Sequence, residues 1–233
     1  MKQFKFFAAV LLALVIISCN KNDEQVTGVG DVMIVAKQSG SNIIYGLSMY
    51  AYTLSSFESV SVVSTAESGK TYTLKTNQGY KTNFYFETPE SQFTTTKPSA
   101  ATFDFSATFT NGVKQNFQDV LTDKVLPIPA MDKCEYDAAK HQLDMSWTLH
   151  PDATSYSINI IDGTNLVFVS TELKNGIKTS YISAAGSGWA VGFNPVAGKT
   201  YTVKLFAYMF EPGGDSYNIQ AVSYAEKAVV WGN

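Results

Sequence analysis

Between residues 101 and 117 the side chains alternate with a period of two. Phe103, Phe105, Ala107 and Phe109 are separated by polar neighbours, and after Asn111-Gly112 the pattern returns through Val113, Gln115 and Phe117. Strict alternation places one set of side chains on one face of an extended strand, and Asn-Gly suits the two positive-φ positions of a type I′ turn. Residues 101–121 therefore read as a β-hairpin. Similar short runs recur from Val26 onward, broken by turn residues: Asp31 to Lys37, Ile43 to Thr53, Ser59 to Ser64, Thr71 to Thr76 and Thr82 to Glu87. No stretch sustains a helical period, and a chain written this way folds as an all-β sandwich or barrel.

The start of the chain is of a different kind. Lys2 and Lys5 precede an unbroken apolar run of twelve residues, Phe6 to Ile17, followed by Ser18-Cys19. Crossing a bilayer core takes about 20 helical residues, so the run is too short to span; a basic start, a short apolar run and a small residue mark a secretory signal. Ile16-Ile17-Ser18-Cys19 resembles the lipobox of bacterial lipoproteins, with Ile in place of the more usual Leu. The resemblance implies acylation of Cys19 and, because several acyl chains together anchor stably, attachment to a membrane. Asn20-Lys21-Asn22-Asp23-Glu24 resembles the lysine-plus-acidic export signal of Bacteroidota surface lipoproteins, although Asn22 interrupts it. Together the two resemblances imply an outer-membrane lipoprotein facing the cell surface, with residues 1–18 removed and residues 19–26 as a tether.

Charge and residue usage narrow the function. Loss of Lys2 and Lys5 leaves 15 lysines against 20 acidic residues, and the chain contains no arginine. Phosphate and guanine recognition relies on Arg and on a dense basic patch, so nucleic acid is excluded as a partner. Apart from Cys19 the chain has a single cysteine, Cys134, and two histidines, His141 and His150, with no zinc-ligand spacing; no cofactor is expected. Cys134 reads as a buried strand residue. No nucleophile motif, phosphate loop or calcium-loop spacing accompanies the serines and carboxylates, and a catalytic role is not expected.

Leu126-Pro127-Ile128-Pro129-Ala130 divides the mature chain into two halves of about 100 residues each, the size of one immunoglobulin-like sandwich. Two alternate prolines cannot donate to a ladder and favour an extended, stiff connection. The expected domains are 27–126, an immunoglobulin-like sandwich, a linker at 127–129, and a second sandwich at 130–233. In the second half, Leu143-Asp144-Met145-Ser146-Trp147, the proline and tyrosine-led run Pro151 to Ile160, and the Pro-x-x-Gly-x-x-Tyr segment within Phe193 to Leu205 resemble the second strand, the third strand and the tyrosine-corner segment of a fibronectin type III domain; the resemblance implies that Tyr201 forms a tyrosine corner. The fragment Ser68 to Lys75 repeats the wording of Ala197 to Lys204 and hints at two related sandwiches.

With Tyr201, Val203 and Leu205 pointing inward, Phe206, Tyr208 and Phe210 face outward. Trp189 lies in a glycine-rich connection, Gly186 to Gly192. Trp189, Phe206 and Tyr208 are therefore the candidate ligand-binding residues, since exposed aromatics stack on sugars or anchor a protein partner. The competing reading has Trp189 plugging the bottom of the sandwich and the other two covered by a neighbouring strand or by the first domain. Two functions remain: a surface module that captures glycan, or a structural or adhesion subunit that contacts another envelope or host protein.

Overall fold

The computed structural model describes residues 26–77, 79–212 and 218–232; the signal, Cys19 and the rest of the tether up to Gln25 lie outside the described residues. The strands of the first half are β1 (Gly28–Ser39), β2 (Asn42–Thr53), β3 (Phe57–Ser64), β4 (Thr71–Thr73), β5 (Lys75–Asn77), β6 (Tyr80–Glu87), β7 (Ala101–Phe109) and β8 (Lys114–Leu121). Those of the second half are β9 (Met131–Asp137), β10 (Gln142–Trp147), β11 (Ser155–Asp162), β12 (Asn165–Val169), β13 (Leu173–Lys174), β14 (Thr179–Ser183), β15 (Thr200–Phe210) and β16 (Ile219–Val230). Among the described residues a single 3-10 turn, Glu90–Gln92, interrupts the strands.

The strands form a nine-stranded sheet in the order β12-β11-β15-β16-β1-β2-β6-β5, with β13 also on β11, and two smaller sheets, β4-β3-β7-β8 and β14-β10-β9. The first core, with Val32, Ile34, Met49, Phe57, Phe103 and Phe105, fills the space between the large sheet and the four-stranded one. The second, with Leu143, Trp147, Tyr156, Ile160, Tyr201 and Leu205, lies between the large sheet and the three-stranded one. Each half is thus a β-sandwich in the immunoglobulin and fibronectin type III manner. Tyr201 accepts the N–H of Val196 at 3.0 Å, the contact the tyrosine corner requires.

The two sandwiches share their large sheet. β1 pairs with β16 in parallel, in the register Ile34–Ala221, Val35–Val222, Ala36–Ser223 and Lys37–Tyr224. Paired residues point to the same side of a sheet, so Ile34 of the first core and Ala221 of the second place both small sheets on one face. The connection between the halves is tied to this seam. A register shift between Met209 and Phe210 leaves Gln220 as the extra residue of β16. Its side chain, 2 % exposed, accepts from Thr122 N at 3.0 Å and donates to Thr122 O at 3.1 Å and Lys124 O at 3.2 Å. Ser223 donates to Pro127 O at 2.7 Å. Side chains of the last strand thus hydrogen-bond the backbone of the junction on both sides of Leu126.

Below the seam β16 no longer covers β1, and side chains of β8 do so instead: Gly28 N donates to Gln115 Oε1 at 2.8 Å and Val32 N to Asp119 Oδ2 at 2.7 Å. This close approach requires glycine, because a Cβ on Gly30 would stand 2.8 Å from both Phe105 and Phe117, whose rings stack at 5.1 Å.

Two sequence expectations are corrected. In the 101–121 hairpin only Gly112 takes a positive φ, 83°, while Asn111 does not; Phe109 N donates to Val113 O and Asn111 Oδ1 accepts from Val113 N, giving a longer loop in place of a type I′ turn. Thr71 to Thr76 is two strands, not one. Buried Leu74 donates its N–H to Val60 O, and there the chain passes from the small sheet, where β4 pairs β3, to the large sheet, where β5 pairs β6.

Candidate functional site

Strand parity sets the outer face of the large sheet. On β15 the odd residues Tyr201 to Met209 are buried in the second core, so Lys204, Phe206 and Tyr208 emerge on the other side. The register carries that face across the seam: Phe206 pairs Tyr224, Tyr208 pairs Val222, Val222 pairs Val35, and Met33 and Asp31 pair Ser48 and Tyr50 of β2. Neither small sheet covers this side, and its aromatic residues are half-buried by one another. Phe206 and Tyr208 lie 6.3 Å apart at 20°, and Phe206 and Tyr224 5.1 Å apart at 38°.

The segment after β6 raises a wall beside this aromatic row. Thr88 Oγ1 accepts from Leu47 N at 2.8 Å and pins the segment to β2. Phe93 lies on the bare backbone of Gly46, where a Cβ would come within 2.8 Å of its ring. Lys37, almost fully buried, also holds Phe93: its Nζ stands 4.3 Å from the ring centroid and pairs with Glu90. Between this wall and β15 runs a groove of about 530 Å³, with Met33, Tyr50, Phe206, Tyr208 and Tyr224 among its lining.

The polar groups of the groove are donors held in their neutral form, together with a few charges at the rim. Burial, and then Glu90, Glu226 and Glu87, push the Tyr224 phenol up to about 12. Burial also raises Tyr208, whose hydroxyl lies 2.9 Å from Ser157 Oγ, and Tyr50. All three phenols therefore stay protonated at neutral pH. Lys204 Nζ sits 4.7 Å over the Tyr224 ring and 3.3 Å from Glu226. At the lower end of the face Asp31 is 7 % exposed, with Ile219 N 3.2 Å from both its oxygens. Burial pushes its carboxyl up to about 8 against that hydrogen bond, with Asp119 and Glu211 adding to the shift. Among the described residues no three His, Cys, Asp or Glu side chains are grouped to hold a metal ion.

Of the three residues singled out from sequence, Phe206 and Tyr208 share this face and Trp189 does not. Trp189 packs on the opposite side of the sheet against the second core, with its ring 4.9 Å from Phe168, 5.5 Å from Phe193 and 5.4 Å from Trp231. Its indole N–H donates to Ser183 O at 2.9 Å. Tyr224, Tyr50 and Phe93 complete the groove and were not foreseen. Parity within Ile219–Val230 signals that Val222 and Tyr224 share a face, but only the parallel seam brings Tyr50 and Phe93 beside them. Elsewhere, Cys134 is buried on β9 and its thiol is pushed up to about 11 by that burial, which makes it a poor nucleophile. His141 is exposed in the β9–β10 turn with φ 54°, and His150 accepts the Asp152 N–H at 3.2 Å.

Comparison with protein-family models and with curated proteins finds no match. Among solved structures, a cytokine receptor complex aligns at 12% identity and a TM-score of 0.32, covering 87% of this chain and 97% of that one. A tetra-tandem repeat from the extending region of a large adhesion protein aligns at 17% identity and 0.27, covering 87% and 50%. A two-domain fibronectin type III segment of chicken tenascin aligns at 10% identity and 0.28, covering 84% and 97%. At these scores the likeness is distant.

Proposed function

We propose that this protein is a non-catalytic binding module, anchored to the bacterial envelope through Cys19 and facing the cell surface, that captures glycan on the outer face of its shared sheet. The observation that carries the reading is the row of Phe206, Tyr208 and Tyr224, with rings side by side along a groove and phenol hydroxyls kept as donors beside Lys204 and Glu90. Sugar rings offer an apolar face to such a row and hydroxyls to its rim. A groove of this size fits a few sugar units of a longer chain.

Titration of the purified protein against a panel of soluble polysaccharides tests it. Tyr224→Ala and Phe206→Ala should each weaken binding about 5- to 30-fold, the effect of removing an aromatic anchor worth roughly 1–2 kcal/mol. Trp189→Ala should leave affinity unchanged. Binding to no glycan, or equal binding by all three variants, refutes it. The apolar floor formed by Met33, Val35 and Val222 favours a second reading, in which the same face grips side chains of an envelope or host protein as a structural or adhesion subunit. Recovery of one stoichiometric protein partner, lost in Tyr224→Ala, together with no glycan binding, selects that reading.

A further inference from the structure

One end of the first sandwich is unlike the other. The described chain begins there: Thr53 Oγ1 donates to Thr27 O at 2.9 Å, so the entry to β1 lies beside the β2–β3 turn. The β7–β8 turn joins them, since Phe57 pairs Phe109 and Thr110 N donates to Ser56 O at 3.0 Å. At this end Leu54 is 88% exposed, and Val29, Tyr52, Tyr80 and Val113 are exposed as well. Val29, Tyr52 and Leu54 rim an open depression of about 750 Å³ that Met33 also lines. The turns at the opposite end, 40–41 and 65–70, carry only Gly, Ser, Thr, Ala, Glu and Lys. Toward that opposite end Ile43, Val63 and Val120 are exposed too, but within strands β2, β3 and β8 and not in the turns; exposed apolar side chains gathered on the turns and strand ends of one pole mark a contact surface.

The chain outside the described residues says what covers that surface. Seven residues lead from Cys19 to Val26, a reach of at most about 25 Å. Asn20 to Gln25 contains no apolar side chain to fold over the patch. An acylated Cys19 therefore keeps this pole within one tether length of the bilayer. The pole suits such a surface: the exposed Glu58 is paired with Lys81 at 2.7 Å, Lys114 is exposed, and tyrosines flank the aliphatic residues as at a membrane interface.

We propose that this end of the first sandwich lies on the lipid bilayer, with Leu54 and Val113 entering the headgroup region and Tyr52 and Tyr80 at its boundary. The proposal rests on the reading of Cys19 as the lipid anchor. It holds the molecule with β1 pointing away from the membrane. The Lys37 end of the aromatic groove then stands eight residues up the strand from Val29, roughly 26 Å above it.

The protein expressed with its signal, extracted from membranes and reconstituted in phosphatidylcholine–phosphatidylglycerol vesicles with brominated acyl chains provides the test. All three native tryptophans belong to the second half and serve as an internal reference. In Leu54→Trp the added fluorescence should be quenched several-fold more strongly than in Val191→Trp, placed on an exposed loop of the second half. Vesicle-bound protein in which the two reporters are quenched equally overturns the proposal. Protein that fails to float with vesicles and carries an unmodified Cys19 by mass spectrometry overturns the lipid-anchor reading, and this proposal with it. A Leu54→Glu, Val113→Glu variant that floats but no longer protects amides 52–56 from hydrogen exchange supports it; unchanged protection counts against it.

Discussion

Replacement of Gln220 by methionine tests the seam between the two sandwiches. The side chains are close in volume, so little cavity results, and the change reduces to three hydrogen bonds: one from Thr122 N and two to the carbonyls of Thr122 and Lys124. A net worth of about 1 kcal/mol per bond gives roughly 3 kcal/mol, and more if water cannot reach the freed groups. For a chain of this size each kcal/mol moves the midpoint by about 2–4 °C, so Gln220→Met should melt roughly 6–12 °C below the parent. Scanning calorimetry of the mature protein reads this directly. Gln220→Glu keeps the acceptor for Thr122 N but aims a carboxylate at two carbonyls, so at neutral pH it should cost at least as much. Gln92→Met, on the surface, should shift the midpoint by no more than about 1–2 °C. A Gln220→Met protein that melts within 2 °C of the parent (about 1 kcal/mol or less) would show that the connection is held by something other than this clamp.

Three further outcomes are expected. Gly30→Ala drives a methyl into the Phe105–Phe117 stack and should cost about 1–3 kcal/mol by urea denaturation, with part of the loss recovered when Phe117 is also shortened to leucine. Asp31 has a folded pKa of about 8 against an ordinary 3.8, so its contribution to stability is full below pH 3.8 and is lost as pH rises through 8; Asp31→Asn should flatten the decline in urea midpoint over that window, and an unchanged profile would place the carboxyl elsewhere. Trp189→Ala, which removes a ring packed on three others, should destabilise by about 2–4 kcal/mol in thermal melts without touching the outer face.

Most strands were legible because alternation is a local property. Tyr201, Val203 and Leu205 face inward and Phe206 and Tyr208 outward because neighbouring Cβ atoms leave a strand on opposite sides. What stayed hidden depends on partners far along the chain. Thr71 to Thr76 looks like one strand because nothing in Thr-Tyr-Thr-Leu-Lys-Thr announces that Leu74 turns the backbone from one sheet to the other. Trp189 stands in a glycine-rich segment with no period, and two of the rings that claim it, Phe168 and Trp231, come from a distant strand and the chain's end. Half of the aromatic groove was readable from β15 alone. Its other half exists only because residues 34–37 lie beside 221–224, and no local pattern encodes a parallel pairing between the first strand and the last.

That pairing has a mechanical consequence. Tension applied between the start of β1 and a ligand held on β15 and β16 runs along the strand direction, so the hydrogen bonds of the seam are loaded together in shear and not opened one after another like a zipper. A body joined in this way resists a pull along its strands that would part its two halves.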